Sequence, residues 1–150
     1  MTGKTLADKL FDDQKVAMKA QEKFRLSVLR MVRAELQNAV IAKQAPLTAE
    51  EELEILTREV KKRKESLGDY RKSGRENLVK DLEQEIEILS TYLPEQLSAG
   101  ELEELVREAI NETGAEGMKE MGRVMSFLMP RVKGKADGSL VRQIVEEKLK

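Results

Sequence analysis

The amino-acid sequence predicts an all-α protein, and three observations carry that prediction. The apolar residues are mostly aliphatic with seven Met, against three Phe, two Tyr and no Trp. Leu, Glu, Lys, Arg and Ala dominate and β-branched runs are few, which favours helix over sheet. Charged residues make up 37% of the 150 positions, yet the net charge is −1. Interspersed charge of both signs suits exposed helix faces with i,i+4 pairs. A chain of this length buries roughly 70% of the surface its unfolded form exposes, so a core needs no covalent staple.

The first helix is expected from about Lys4 to Ala20, with Leu6, Leu10 and Ala17 near one face. Gln21 to Lys23 reads as a turn or only a kink, with a continuous helix also open. The next helix runs to about Lys43 and carries Val28, Leu29, Val32, Leu36, Ala39 and Val40 as its apolar stripe. Pro46 then forbids helix and biases Ala45 toward extended backbone. Thr48-Ala49-Glu50-Glu51 has the capping-box pattern, in which hydroxyl and carboxylate each accept from the other residue's amide. The helix it opens points Leu53, Leu56, Val60 and Leu67 inward and ends near Ser73-Gly74. The basic run Lys61-Lys62-Arg63-Lys64 sits on it. Successive helix residues diverge, so the run is read as solvated charge paired with Glu65 and Asp69 at i,i+4.

Ser73-Gly74-Arg75-Glu76 repeats the box pattern and restarts a helix through Leu78, Leu82, Ile86 and Leu89. Pro94 stops it. Ser98-Ala99-Gly100-Glu101 is a third box, followed by Leu102, Leu105, Val106, Ala109 and Ile110 and then Gly114, a natural C-terminal cap. A further helix is centred on Met118, Met121, Val124, Met125 and Leu128 and is expected to stop before Pro130. Its Met residues suit either ordinary core or a plastic partner groove. Arg131 to Asp137 is read as a loop. Asp137 is the candidate cap for a last helix bearing Leu140, Val141, Ile144, Val145 and Leu149. The expected organisation is an N-terminal helical bundle of about four long helices over 1–94 and a C-terminal three-helix domain over 95–150.

Charge is uneven in the smaller part. Residues 95–118 hold seven acids and one base, a formal −6, whereas residues 119–142 hold six bases and two acids, a formal +4. A local basic surface steers a polyanion whatever the net charge. The segment Arg131 to Gly138 is the most suggestive: Gly134 permits close backbone approach, Lys133 and Lys135 offer charge, and a helix start offers amides. The plainer reading of that loop is a solvated connection, and an Asp137 cap would occupy those amides.

Several chemistries lack residues. There is no Cys and no His, so thiolate chemistry and the commonest general base and metal ligand are missing. Helical-bundle metal sites usually use Glu-x-x-His. No phosphate-binding Gly-rich motif and no G-x-S-x-G stands in the chain. No catalytic residue, metal or cofactor is therefore expected. No run of about 18 apolar residues spans a bilayer, and acids in MTGKTLADKLFDDQK displace the apolar core of a signal peptide. A cytoplasmic protein with no membrane partner is expected.

Five stretches together resemble the YqeY family: Phe24 to Val32, Lys62 to Ser66, Tyr92 to Leu97, Met118 to Met125, and Val132 to Gly138. The C-terminal part is also similar to the tail domain of the B subunit of the aspartyl/glutamyl-tRNA amidotransferase, through Gly122-Arg123-Val124-Met125 and Gly134-Lys135-Ala136. In that enzyme family the tail contacts the outer corner of tRNA, and similar domains are fused to a glutaminyl-tRNA synthetase. The resemblance implies a non-catalytic tRNA-binding module contacting RNA through Lys119, Gly122, Arg123, Lys133, Gly134, Lys135 and Arg142. Two other functions are open. One is an adaptor for an aminoacyl-tRNA synthetase or tRNA amidotransferase; the other is a subunit associated with carbon–nitrogen ligase activity using glutamine as amide donor. Oligomeric state is left open by the sequence.

Overall fold

The computed structural model describes residues 3–150, so Met1 and Thr2, where the leader reading and the first domain begin, lie outside it. The chain is all-α, without strands among the described residues. It divides into two compact units, Met1–Leu93 and Pro94–Lys150. The first holds α1 (Leu6–Lys19), α2 (Lys23–Lys43), α3 (Ala49–Ser73) and α4 (Glu76–Ser90); the second holds α5 (Ala99–Thr113), α6 (Met121–Val132) and α7 (Gly138–Leu149). A 3-10 turn at Met118–Glu120 leads into α6.

Local chemistry sets most boundaries. The Thr48 and Ser98 boxes form: each hydroxyl accepts from the amide three residues on at 3.1 Å, and Glu51 and Glu101 accept in return. Thr5 and Asp8 make an additional box at the start of α1. Gly74 and Gly114 close α3 and α5 with φ of 75° and 68°. Gln21 shows that the segment after α1 is a true turn: it takes φ 60°, and Glu22 N donates to Ala17 O at 2.9 Å, ending the helix in a Schellman arrangement.

Two expected boundaries are corrected. Ser73 does not cap α4; its hydroxyl donates to Tyr70 O at 3.2 Å, and Arg75 occupies the cap position with no side-chain bond. The positive φ of Gly74 turns the chain before a box can close. Pro130 does not stop α6, which continues to Val132. Proline's φ is helical, and this late in the helix it forfeits one intrahelical bond. Beyond it, Lys133 N still donates to Met129 O at 3.0 Å.

In the first unit the expected stripes meet, except that Val40, near the end of α2, is exposed. Leu10, Ala17, Val28, Leu29, Val32, Leu36, Leu56, Val60 and Leu89 are buried together. Each fully buried Leu contributes about 2 kcal/mol of transfer free energy. Polar ties join the helices around this core. Glu52 of α3 accepts from Leu6 N and Ala7 N at 3.3 and 3.1 Å, capping α1 from a distant helix. The Tyr92 hydroxyl donates to Asp13 of α1.

The basic run on α3 corrects the solvated reading. Arg63 is only 8% exposed. Its Nε donates to Glu85 of α4 at 3.0 Å, and its Nη1 to Glu59 Oε1 at 3.3 Å and Glu59 O at 3.0 Å. Lys62 also turns back to Glu59, at 3.2 Å. Arg63 thus bridges two helices, where the local pattern pointed to pairs with Glu65 and Asp69.

Candidate nucleic-acid interface

The second unit is organised by α6. Val124, Leu128 and Val132, spaced four apart, are buried against Leu102, Val106 and Ala109 of α5 and Val141, Val145 and Leu149 of α7. Met121 and Met125 of α6 pack half-buried against this core, while Met129 near its end and Met118 before it are exposed. The same period leaves Gly122, Arg123, Ser126, Met129 and Pro130 exposed on the other side. No Asp or Glu occurs from residue 121 to residue 136.

Bases flank this acid-free face at both ends. Lys119 and Arg123 stand exposed at its start, and Lys133 and Lys135 follow its finish. Ten residues of helical rise separate Arg123 from Lys133 by about 15 Å along the axis. Lys119, Arg123 and Lys135 make no ion pair with any described residue. Lys133 is half-buried and held by a contact of its own. Arg142, one turn into α7, is exposed and sits 3.6 Å from Glu146. Arg131 is folded back: its guanidinium lies 3.7 Å over the Phe127 ring and donates to Phe127 O at 2.6 Å.

The lysine loop is a type II turn. Lys133 has φ −57° and ψ 123°, Gly134 has φ 76°, and Lys135 N donates to Val132 O at 2.8 Å. Gly134 is buried, so its task is the positive φ of the turn and not close approach to a partner. Its carbonyl accepts from Gln96 Nε2 at 2.7 Å, and Lys135 O accepts from Leu97 N at 2.9 Å. The segment entering the unit thereby clasps the turn that carries the two lysines. Asp137 caps α7, accepting from Ser139 N at 3.0 Å, so a carboxylate already occupies the helix start otherwise open to a phosphate.

Gly122 differs from Gly134. It is exposed in the first turn of α6, and a Cβ added there would meet nothing within 4 Å. Nothing inside the chain requires glycine at this position, although glycine in a helix costs up to about 1 kcal/mol relative to alanine.

Five of the unit's acids lie on α5. Glu101, Glu103, Glu104, Glu108 and Glu112 are exposed there. The Ser98 hydroxyl and amide hold the Glu101 carboxyl below the usual carboxylate range. The Arg107–Glu104 and Arg142–Glu146 pairs each stay within one helix. Among the described residues no group of three or more acidic side chains is arranged to hold a metal ion, and no helix is long and apolar enough to cross a membrane.

The fold and this surface define an all-helical protein whose smaller unit carries an acid-rich helix, α5, and an acid-free helix face on α6. The chain belongs to the YqeY-like protein family, whose model matches residues 7–149. It is 32% identical over 140 residues to a protein of Pyrenophora tritici-repentis described as altered inheritance of mitochondria protein 41, mitochondrial, covering 90% of this chain and 76% of that one. It is 32% identical to the E subunit of the glutamyl-tRNA(Gln) amidotransferase of Thermococcus sibiricus, covering 97% of this chain but 24% of that protein. Its counterpart in Methanococcus maripaludis is 34% identical over 69% of this chain and 17% of its own length. The chain thus spans a quarter or less of these amidotransferase subunits.

Proposed function

We propose that this chain is a non-catalytic tRNA-binding accessory module, linked to tRNA-dependent amidation or aminoacylation. The acid-free face of α6 carries this reading. It is a helix side about 15 Å long with positive charge at both ends, lined between them by Gly122, Ser126, Met129 and Pro130. A-form RNA is recognised chiefly through shape, phosphates and 2′-hydroxyls across a wide, shallow groove. Gly122 and Ser126 let a sugar-phosphate strand lie close at the start of the face, and Lys119, Arg123, Lys133, Lys135 and Arg142 supply the charge. Gly134 acts indirectly by shaping the turn. With two Tyr and no Trp in the chain, stacking of single-stranded bases has little material. The similarity to subunits of a glutamyl-tRNA(Gln) amidotransferase supports tRNA as the polyanion.

The test is binding to total tRNA at two salt concentrations, with duplex DNA as control. Affinity for tRNA should exceed that for DNA and fall with salt, the log–log slope reporting roughly one unit per phosphate contact. Lys133→Glu combined with Lys135→Glu should lower affinity about tenfold or more and flatten the slope by about two units, with helicity unchanged. Unchanged affinity in a folded double variant overturns the assignment of the loop.

A further inference from the structure

The first unit leaves several apolar side chains exposed. Among its described residues seven large hydrophobic side chains are exposed, Phe11, Val16, Met18, Phe24, Met31, Val40 and Ile41, and all lie on α1 or α2. On α2 three of the four, Phe24, Met31 and Ile41, follow a pattern. The helix packs against α1, α3 and α4 through Val28, Leu29, Val32 and Leu36. Its opposite side presents Phe24, Ser27, Met31, Ala34, Asn38 and Ile41, all exposed. The spacing is three, four, three, four, three, the a/d seam of a coiled coil. None of the six is charged, although 37% of the chain is. Phe24, Met31 and Ile41 are 38%, 48% and 72% exposed.

We propose that this seam is a homodimer interface, in which α2 pairs antiparallel with α2 of a second copy about a two-fold axis midway along the helix. The seam fits itself in that sense. Phe24 then faces Ile41 of the second copy, Met31 faces Ala34, and Ser27 faces Asn38. Met31 meets the small Ala34, the two polar residues meet each other, and no aromatic ring has to stack on its own copy. A parallel pairing would stack Phe24 on Phe24 and Ala34 on Ala34, alternating wide and narrow layers. Along one flank the antiparallel arrangement sets Lys23 beside Gln44 and Arg30 beside Gln37 of the second copy, so cations meet amide oxygens and no like charges oppose. An isologous interface requires such self-complementarity. The seam is short, about two and a half heptads, which places the dimer among weak, concentration-dependent associations.

The chain contains no Cys, so introduced thiols report geometry cleanly. Ser27→Cys with Asn38→Cys should yield a disulfide-linked dimer under mild oxidation. Ser27→Cys alone should not, because the two Ser27 positions lie about 16 Å apart along the antiparallel pair. Sedimentation equilibrium of the unmodified chain should show dimer growing with concentration. Ile41→Glu should raise the dissociation constant at least about tenfold while leaving far-ultraviolet helicity intact. A monomer at every concentration, cross-linking by Ser27→Cys alone, or an Ile41→Glu variant that dimerises as before would each overturn the proposal.

Discussion

The two units handle charge in opposite ways. In the first, charge is consumed internally: Arg63 is buried between Glu59 and Glu85, Glu52 caps a neighbouring helix, and Lys43 meets Glu51 at 2.5 Å. In the second, five acids line α5 and five bases lie on and around α6, and the Arg107–Glu104 and Arg142–Glu146 pairs each stay within one helix. Charge spent inside a fold fixes helix arrangement. Charge left segregated at the surface is free to act on something else. The first unit's outward resource is apolar, on α2; the second unit's is electrostatic, on α6.

Perturbations of each unit can break this comparison. The largest stability effect is expected for Arg63→Ala, which strands the Glu85 carboxylate in a largely buried setting and leaves Glu59 with Lys62 alone; a loss of about 3 kcal/mol should appear in urea unfolding, with tRNA affinity unaltered. Gly122→Ala should do the reverse. It should leave the fold unchanged or stabilise it by up to about 1 kcal/mol, and lower tRNA affinity about tenfold as a methyl group intrudes on the close approach. A variant that gains stability and keeps full affinity would remove Gly122 from the interface. Thr48→Ala and Ser98→Ala each delete one capping box, one per unit, and each should cost about 1 kcal/mol. Monitoring unfolding of the two variants by hydrogen exchange sharpens the division, since each loss should be confined to its own unit.

The smallest effect is a pH dependence. Burial, then the hydrogen bond to Asp13, pushes the Tyr92 hydroxyl up to about 12 from its ordinary 10.0. The folded state therefore holds this proton more tightly than the unfolded chain. The resulting stabilisation is complete below pH 10 and is lost as pH rises toward 12. Tyrosinate absorbance should show one late step, absent in Tyr92→Phe. Glu51 behaves in the opposite sense: hydrogen bonds from Lys43 and Thr48 bring it down to about 2, so its contribution persists from neutral pH down to about 4.5 and disappears as pH falls toward 2.

Features governed by neighbours in sequence were legible in advance. The capping boxes at Thr48 and Ser98, the closures at Gly74 and Gly114, the Asp137 cap and the inward stripes all depend on residues within one or two turns. What escaped the local pattern depends on partners far along the chain. Arg63 is buried because Glu85 waits on the next helix, and Glu52 is buried because α1 begins beside it, 45 and 46 residues away. Ser73 had the right neighbours for a cap, but the backbone turned first. The candidate interface was legible as composition, in the run without acids, and as motif, in Gly122-Arg123 and Lys133-Gly134-Lys135. The different tasks of its two glycines emerged only with burial: Gly134 serves the turn, whereas Gly122 faces open space.

The clasp from Gln96 and Leu97 onto the lysine turn has a practical corollary for dissecting the molecule. A fragment starting at Ser98 would keep all three helices of the small unit and their aliphatic core, yet lose both bonds that restrain the carbonyls of Gly134 and Lys135. Its helix content would look normal while its basic tip wandered. Any excised version meant to report binding has to begin no later than Pro94, or a weak result would measure a slack loop and not the surface itself.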